Sequence, residues 1–150
     1  MLVIYTSPSC SSCRKAKLWL KEHNIKFQEK DIINHKLTKE DIYLMLRNSE
    51  NGFEDIISTR SKAFEANNQL FEDMKFQELT KFIIDNPTVL RRPIMVDDRA
   101  MQVGYNDEEI RVFIPRKYRE MFKCENCEKE KPCQYHKTIN EQVKMLHSEA

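Results

Sequence analysis

Two cysteines stand at the seam of a strand and a helix in LVIYTSPSCSSCRKAKLWL, residues 2–20. Leu2, Val3, Ile4 and Tyr5 read as a short buried strand, and Thr6, Ser7 and Pro8 end it. Ala16, Leu18, Trp19 and Leu20 supply the apolar content of a helix predicted from Ser11 or Ser12 to about Glu22. A strand that hands over directly to a helix, with Cys10 and Cys13 on the joint, restricts the fold more than any other segment. At a helix start, Cys10 faces unpaired N–H groups and the positive end of the dipole. That lowers its pKa by one or more units below ~8.5, and Arg14 and Lys15 add positive charge. Two intervening residues let a disulfide close across one helical turn. Such a pair can do redox chemistry or serve as two half-buried structural cysteines; zinc binding by it alone needs two more ligands nearby.

The rest of the chain extends this unit. Asn24 is a plausible left-handed terminator of the first helix, and IKFQEKD, residues 25–31, alternates like a second strand. Strand, helix and strand in this order predict a parallel pair with a right-handed crossover. A helical block follows. Thr38 with Asp41 resembles a capping box ahead of KEDIYLMLRNS, and Asn51-Gly52 breaks that helix. FEDIISTRSKAFEANN reads as one or two short helices around Ser58-Thr59, and KFQELTKFIIDNP as another, stopped before Pro87. Ile94–Val96 and Met101–Val103 flank a tight turn and read as a β-hairpin ended by Gly104. Asn106 or Asp107 can cap a final helix, DEEIRVFI. The sum is an α/β chain in the thioredoxin order, with a helical insertion (about 36–90) between the βαβ half and the hairpin half. Pro93 falls where that fold carries a cis-proline beside the cysteine motif.

Composition narrows the function classes. A formal charge of +1 gives no strong field for wrapping DNA unaided. With 2 glycines there is no phosphate-binding loop or dinucleotide fingerprint. No apolar run is long enough to span a membrane. MLVIYTS has neither a basic n-region nor a cleavage pattern, so no secretory leader and a cytoplasmic location are expected. Five cysteines in such a chain argue against a structural disulfide framework.

The segments YTSPSCSSCRKAKLWL, DIYLMLRNSENG, EDIISTRSK, LRRPIMVD and QVGYNDEEIRVFIPRK together resemble the Spx family, in order and register over residues 1–120. Spx proteins are redox-responsive transcriptional regulators within the arsenate-reductase-like branch of the thioredoxin fold. The resemblance implies binding to the C-terminal domain of the RNA polymerase α subunit, and to promoter DNA only jointly with polymerase. It implies altered promoter choice under thiol stress without catalysis, and levels held low by proteolysis. It places the redox switch at Cys10 and Cys13, with Arg92 beside the pair, and the polymerase surface at Gly52 and Arg47. Arg91 competes with Arg92, because neighbours in an extended segment point opposite ways; Arg60 and Lys62 are further cations near the motif in sequence. Taken alone, Gly52 also reads as a simple helix stop and Arg47 as a solvated helix arginine.

A thiol-dependent reductase of the arsenate reductase or glutaredoxin type is the alternative. Cys10, Arg60 and Arg92 could supply a nucleophile and an oxyanion pocket. Cys13 argues against it, since a resolving cysteine there would collapse Cys10 into a local disulfide. Residues 121–150 read as a C-terminal tail, basic in its clustered lysines though five lysines meet five glutamates, that departs from the usual family pattern. In it CENCEKEKPCQYH sets Cys124, Cys127, Cys133 and His136 at C-x2-C-x5-C-x2-H. That spacing suits a tetrahedral Cys₃His zinc site, against the plainer reading of a charged tail with free thiols.

Overall fold

β1 (Leu2–Thr6) lies inside the sheet, and its apolar run LVIYT follows from having neighbours on both edges and helices on both faces. The computed structural model describes residues 1–114. β1 pairs parallel with β2 (Phe27–Asp31), from Leu2 opposite Phe27 to Thr6 opposite Asp31. Its other edge pairs antiparallel with β3 (Ile94–Val96), which forms a hairpin with β4 (Met101–Val103). The strand order is β2-β1-β3-β4.

α1 (Ser11–Glu22) makes the crossover between β1 and β2. It ends in a Schellman closure, with the Ile25 amide on the Leu20 carbonyl, the Asn24 amide on Lys21, and Asn24 at φ 54°. Because residues 24 and 25 are spent on that closure, β2 starts at Phe27, later than the alternation predicted. Four helices lie between β2 and β3: α2 (Lys39–Arg47), α3 (Phe53–Ile56), α4 (Lys62–Asp73) and α5 (Phe76–Asp85). α4 runs five residues past the segment read as helical. The expected final helix is a 3₁₀ segment (Glu109–Phe113), with Asn106 Oδ1 accepting from the Glu108 and Glu109 amides. No helix among the described residues is long and apolar enough to cross a membrane.

The pleat of β1 divides the core in two. Leu2 and Ile4 face α1 with Ala16, Trp19, Leu20, Met95, Ile110 and Phe113. Tyr5 faces the helical block with Ile42, Met45, Ile56, Ile83, Ile94 and Val96. Tyr5 is also the polar link between sheet and block. Its hydroxyl donates to Asp41 Oδ1 at 2.7 Å, and Lys30 Nζ donates to the same oxygen at 2.7 Å. Asp41 Oδ2 accepts from the Thr38 amide at 2.9 Å and the Thr38 hydroxyl at 3.0 Å, completing the capping box.

Burial pushes the Asp41 carboxyl up, but Lys30, the Thr38 amide, Tyr5 and the Thr38 hydroxyl outweigh it and hold it below its ordinary 3.8. A folded value below the unfolded one adds stability that is complete above the unfolded value. That stability is lost as pH falls through the folded one. Asp41→Asn is therefore expected to cost about 2–3 kcal/mol at neutral pH. It should also flatten the fall in stability between pH 4 and pH 2 relative to the parent chain. Urea melts across that pH range check both effects; equal acid slopes in parent and variant would refute the assignment.

Candidate functional site

The turn out of β1 delivers Cys10 to the head of α1 by a strained step. Ser9 adopts φ 62°, a left-handed conformation that costs a non-glycine residue about 1–2 kcal/mol. Cys10 then returns to the extended region and serves as the N-cap of α1. Its Sγ accepts from the Cys13 amide at 3.2 Å, and its carbonyl accepts from the Arg14 amide. A sulfur thus occupies the capping position usually held by Ser, Thr, Asp or Asn, where backbone donors converge. Cys10 and Cys13 are joined in a disulfide, with their Cα atoms 5.2 Å apart.

The two sulfurs are not equivalent. Cys13 is 1% exposed on the buried side of α1, whereas Cys10 is half-buried and lines an open cleft of about 560 Å³. An external thiolate can therefore attack only the Cys10 sulfur. The S–S bond breaks, a mixed disulfide forms at Cys10, and Cys13 leaves as the thiolate and takes up a proton. Reversal regenerates the local disulfide.

The cleft wall is cationic and rich in hydroxyls. Ser7, Ser9, Ser11, Ser12 and Ser58 line it with Leu90, Arg91, Arg92 and Gly104. The Arg92–Pro93 bond is cis, as expected for Pro93. Arg92 Nη1 donates to Ser7 Oγ at 2.9 Å, which tethers the guanidinium to the loop that presents Cys10. Arg91 lines the same cleft, but its Nε is spent on the Ile57 carbonyl at 3.0 Å. Arg60 and Lys62 are not among the residues that line the cleft.

On the other face of the Cys10 turn lie Lys17 and Glu29, paired at 2.9 Å, with Thr6 donating to the same Glu29 oxygen at 2.8 Å. The Lys17 bond foremost holds the Glu29 carboxyl below its ordinary range, against a smaller push from burial.

Gly52 has the positive φ its sequence context predicts, at 66°, but its place differs. α2 already ends at Arg47 with Asn48 as C-cap, and Asn48 Nδ2 donates to the Leu44 and Asp97 carbonyls. Gly52 is the N-cap of α3, with ψ −132°, a backbone combination reserved for glycine. It opens a helix where the sequence suggested that it closes one. Asp55 fixes this turn. Its Oδ2 accepts from the Glu50 and Asn51 amides at 2.8 and 2.9 Å, and the Gly52 carbonyl accepts from the Asp55 amide. The Asn51 amide foremost lowers the Asp55 carboxyl below its ordinary range; burial opposes slightly, and Arg91 is among the aids. Arg47 is exposed on α2, and a Cβ on Gly52 would meet nothing within 4 Å among the described residues beyond its own chain neighbours.

Sequence reasoning missed Ser7, Ser58 and Asp55. The serine density of YTSPSCSS was visible, but not which serine would hold an arginine 85 residues away. The candidate zinc ligands Cys124, Cys127, Cys133 and His136 lie outside the described residues. No group of three or more metal-ligating side chains occurs among the described residues.

Residues 5–113 match the ArsC family. The global transcriptional regulator Spx 1 of Bacillus cereus is 52% identical over 119 residues, covering 79% of this chain and 91% of that protein. The global transcriptional regulator Spx of Bacillus subtilis is 50% identical over the same length, with the same coverage. Among solved structures, an arsenate reductase from Vibrio cholerae superposes with a TM-score of 0.67 at 19% identity, over 75% of this chain and 97% of that one. An ArsC family related protein of Bacteroides fragilis gives 0.65 at 24% identity, over 75% and 96%. At these identities the solved structures speak to the fold.

Proposed function

Since the chain belongs to the ArsC family and, within it, to the Spx group, we propose that it is a redox-sensing transcriptional regulator acting through RNA polymerase. In this reading it binds the C-terminal domain of the α subunit and alters promoter choice under thiol or oxidative stress. Cys10 and Cys13 form the switch. Oxidation removes two electrons and two protons from the dithiol, and a peroxide or a disulfide accepts them. Promoter DNA is contacted only jointly with polymerase, as the near-zero formal charge suits. Cellular proteases keep the chain scarce, and it works in the cytoplasm.

The observation that carries this reading is the closed disulfide at the cap of α1, with its reachable sulfur in a cationic cleft, in a chain half identical to named regulators. Arg92, held to Ser7 and lining the same cleft as Cys10, is proposed to favour the thiolate electrostatically when the pair is reduced. Gly52 and Arg47 supply the polymerase surface.

The test is a pull-down of purified α C-terminal domain by the full chain, with the cysteine pair reduced and oxidised. Binding that differs between the two states supports the proposal; absence of binding in both removes it. The reductase reading draws on the same cleft, whose arginines and serines could hold an oxyanion. Turnover of arsenate with a thiol reductant, or of an insulin disulfide, would favour that reading.

The tail of residues 121–150 is proposed to hold one zinc ion through Cys124, Cys127, Cys133 and His136. Metal analysis of the full chain is expected to find about one zinc per chain, lost in a Cys127→Ser variant. A metal-free parent chain purified without chelator would end that part of the proposal.

A further inference from the structure

Cys10 is a shared wall of two clefts that differ in charge. On one side it lines the open cleft of about 560 Å³ with Arg91 and Arg92. On the other it lines a smaller cleft of about 240 Å³ with Arg14, Lys17, Glu29 and Asp31. In the smaller cleft two cations meet two carboxylates, and Lys17 and Glu29 are paired at 2.9 Å. In the larger one the two arginines carry all the charge of the described lining residues, and none of these is acidic.

The two arginines are not equally available. Arg91 also lines a neighbouring cleft with Asp55, whose carboxyl its charge helps to lower, so part of its field is spent there. Arg92 is exposed, and its bond goes to the neutral Ser7 hydroxyl. No carboxylate pairs with Arg92 among the described residues. An uncompensated guanidinium thus borders the sulfur that exchanges. A molecule that joins to Cys10 through sulfur must lay the rest of its body in this cleft. The volume is in the range that holds small ligands, and the serine hydroxyls along the wall can bond to carboxylate or amide oxygens.

We infer that the cleft receives low-molecular-weight thiols and disulfides bearing a carboxylate or another anionic group, and that these open and close the Cys10–Cys13 pair in preference to neutral or cationic ones. The inference deepens the redox-switch reading and rests on it, but needs no polymerase. In closing, the Cys10 thiolate attacks an anionic disulfide, a mixed disulfide forms and one thiolate leaves. Cys13 then attacks the Cys10 sulfur and expels the second thiolate. The dithiol is oxidised by two electrons, the small disulfide is reduced to two thiols, and the two protons of the dithiol end on them. Opening is the reverse.

The test uses the full chain carrying Cys13→Ser, in which a mixed disulfide at Cys10 persists. The probes are the symmetric disulfides of mercaptoethanesulfonate, mercaptoethanol and cysteamine, which share a carbon skeleton and differ in charge. Peptide masses follow the adduct at Cys10 apart from the cysteines after residue 120. The same chain unfolded in urea supplies the intrinsic reactivity of each probe. Relative to that reference, the folded chain is expected to favour the anionic over the cationic probe about tenfold at low salt. The preference should shrink at about 0.5 M salt, where the screening length is about 4 Å. Adding Arg92→Gln should lower it about threefold, and Arg92→Lys should keep most of it. Lys21→Gln removes a charge from the last turn of α1, away from the cleft, and should leave it unchanged. Thermal melts check that each variant folds.

Modification of Cys10 at rates blind to probe charge overturns the inference and leaves the switch standing. A preference that survives Arg92→Gln undiminished, or that Lys21→Gln lowers as much, assigns it to the charge of the whole chain and overturns the inference too. A folded chain whose Cys10 reacts with none of the probes, while the unfolded chain reacts with all, removes the reachable sulfur and with it the switch.

Discussion

Gly52→Arg is expected to lose binding to the α C-terminal domain by about 100-fold or more, the largest effect of any single substitution outside the core. Two physical costs add. The first is in the backbone: φ 66° with ψ −132° is a glycine conformation, and any L side chain there costs about 1–3 kcal/mol or reshapes the turn. The second is at the interface. A Cβ at position 52 points into open space among the described residues, so a longer side chain grows outward, toward whatever docks there. Gly52→Ala separates the two, because it carries the backbone cost with almost no protrusion. Alanine is expected to weaken binding by no more than about tenfold, and arginine by far more. Equal losses for both would place the whole effect in the turn conformation held by Asp55 and none in direct contact.

Replacing both cysteines is expected to remove the response to oxidant entirely. With Cys10→Ser and Cys13→Ser together, the ratio of α-domain binding between oxidised and reduced samples should fall to about 1, and the transcriptional response to a thiol oxidant should vanish with it. The fold should survive. Closing so short a loop stabilises by only about 2 kcal/mol, and serine is itself a good N-cap in place of Cys10. The single variants are informative because the sulfurs differ in reach. Cys13→Ser leaves the cleft-lining Cys10 sulfur able to accept a small thiol as a persistent mixed disulfide, visible as added mass. Cys10→Ser leaves a sulfur that is 1% exposed and should stay unmodified. A double variant that still answers to oxidant would end the role of this pair and move attention to the cysteines after residue 120.

What could be read beforehand was whatever the chain settles locally. The Cys10 cap, the Asn24 closure, the Thr38–Asp41 box and the stop before Pro87 each depend on a few adjacent residues, and each lies where the sequence put it. The central strand was legible because a run without polar alternation is the mark of a strand covered on both faces. Contacts made across the fold were hidden. Asp41 could be read as a cap, but not as the partner of Tyr5, 36 residues away, because its second oxygen is assigned only when sheet and block meet. Gly52 announced its positive φ and concealed its task. Asn-Gly is as consistent with closing one helix as with opening the next, and the backbone length between Arg47 and Phe53 decides. Arg91 and Arg92 were indistinguishable until the Ile57 carbonyl and the Ser7 hydroxyl took one each.

The segment 56–58 is stitched to 89–91 by two backbone bonds, Arg91 amide to Ile56 carbonyl and Ser58 amide to Val89 carbonyl, which together make the isolated antiparallel bridge between Ile57 and Leu90. Ser58 faces the sulfur cleft at one end of this seam, and the glycine turn begins a few residues upstream. The fold thus runs a single short strut from the oxidisable pair to the edge where polymerase is proposed to sit. Amide exchange at Ser58 and Arg91 would report whether that strut stiffens or slackens when the sulfurs change state.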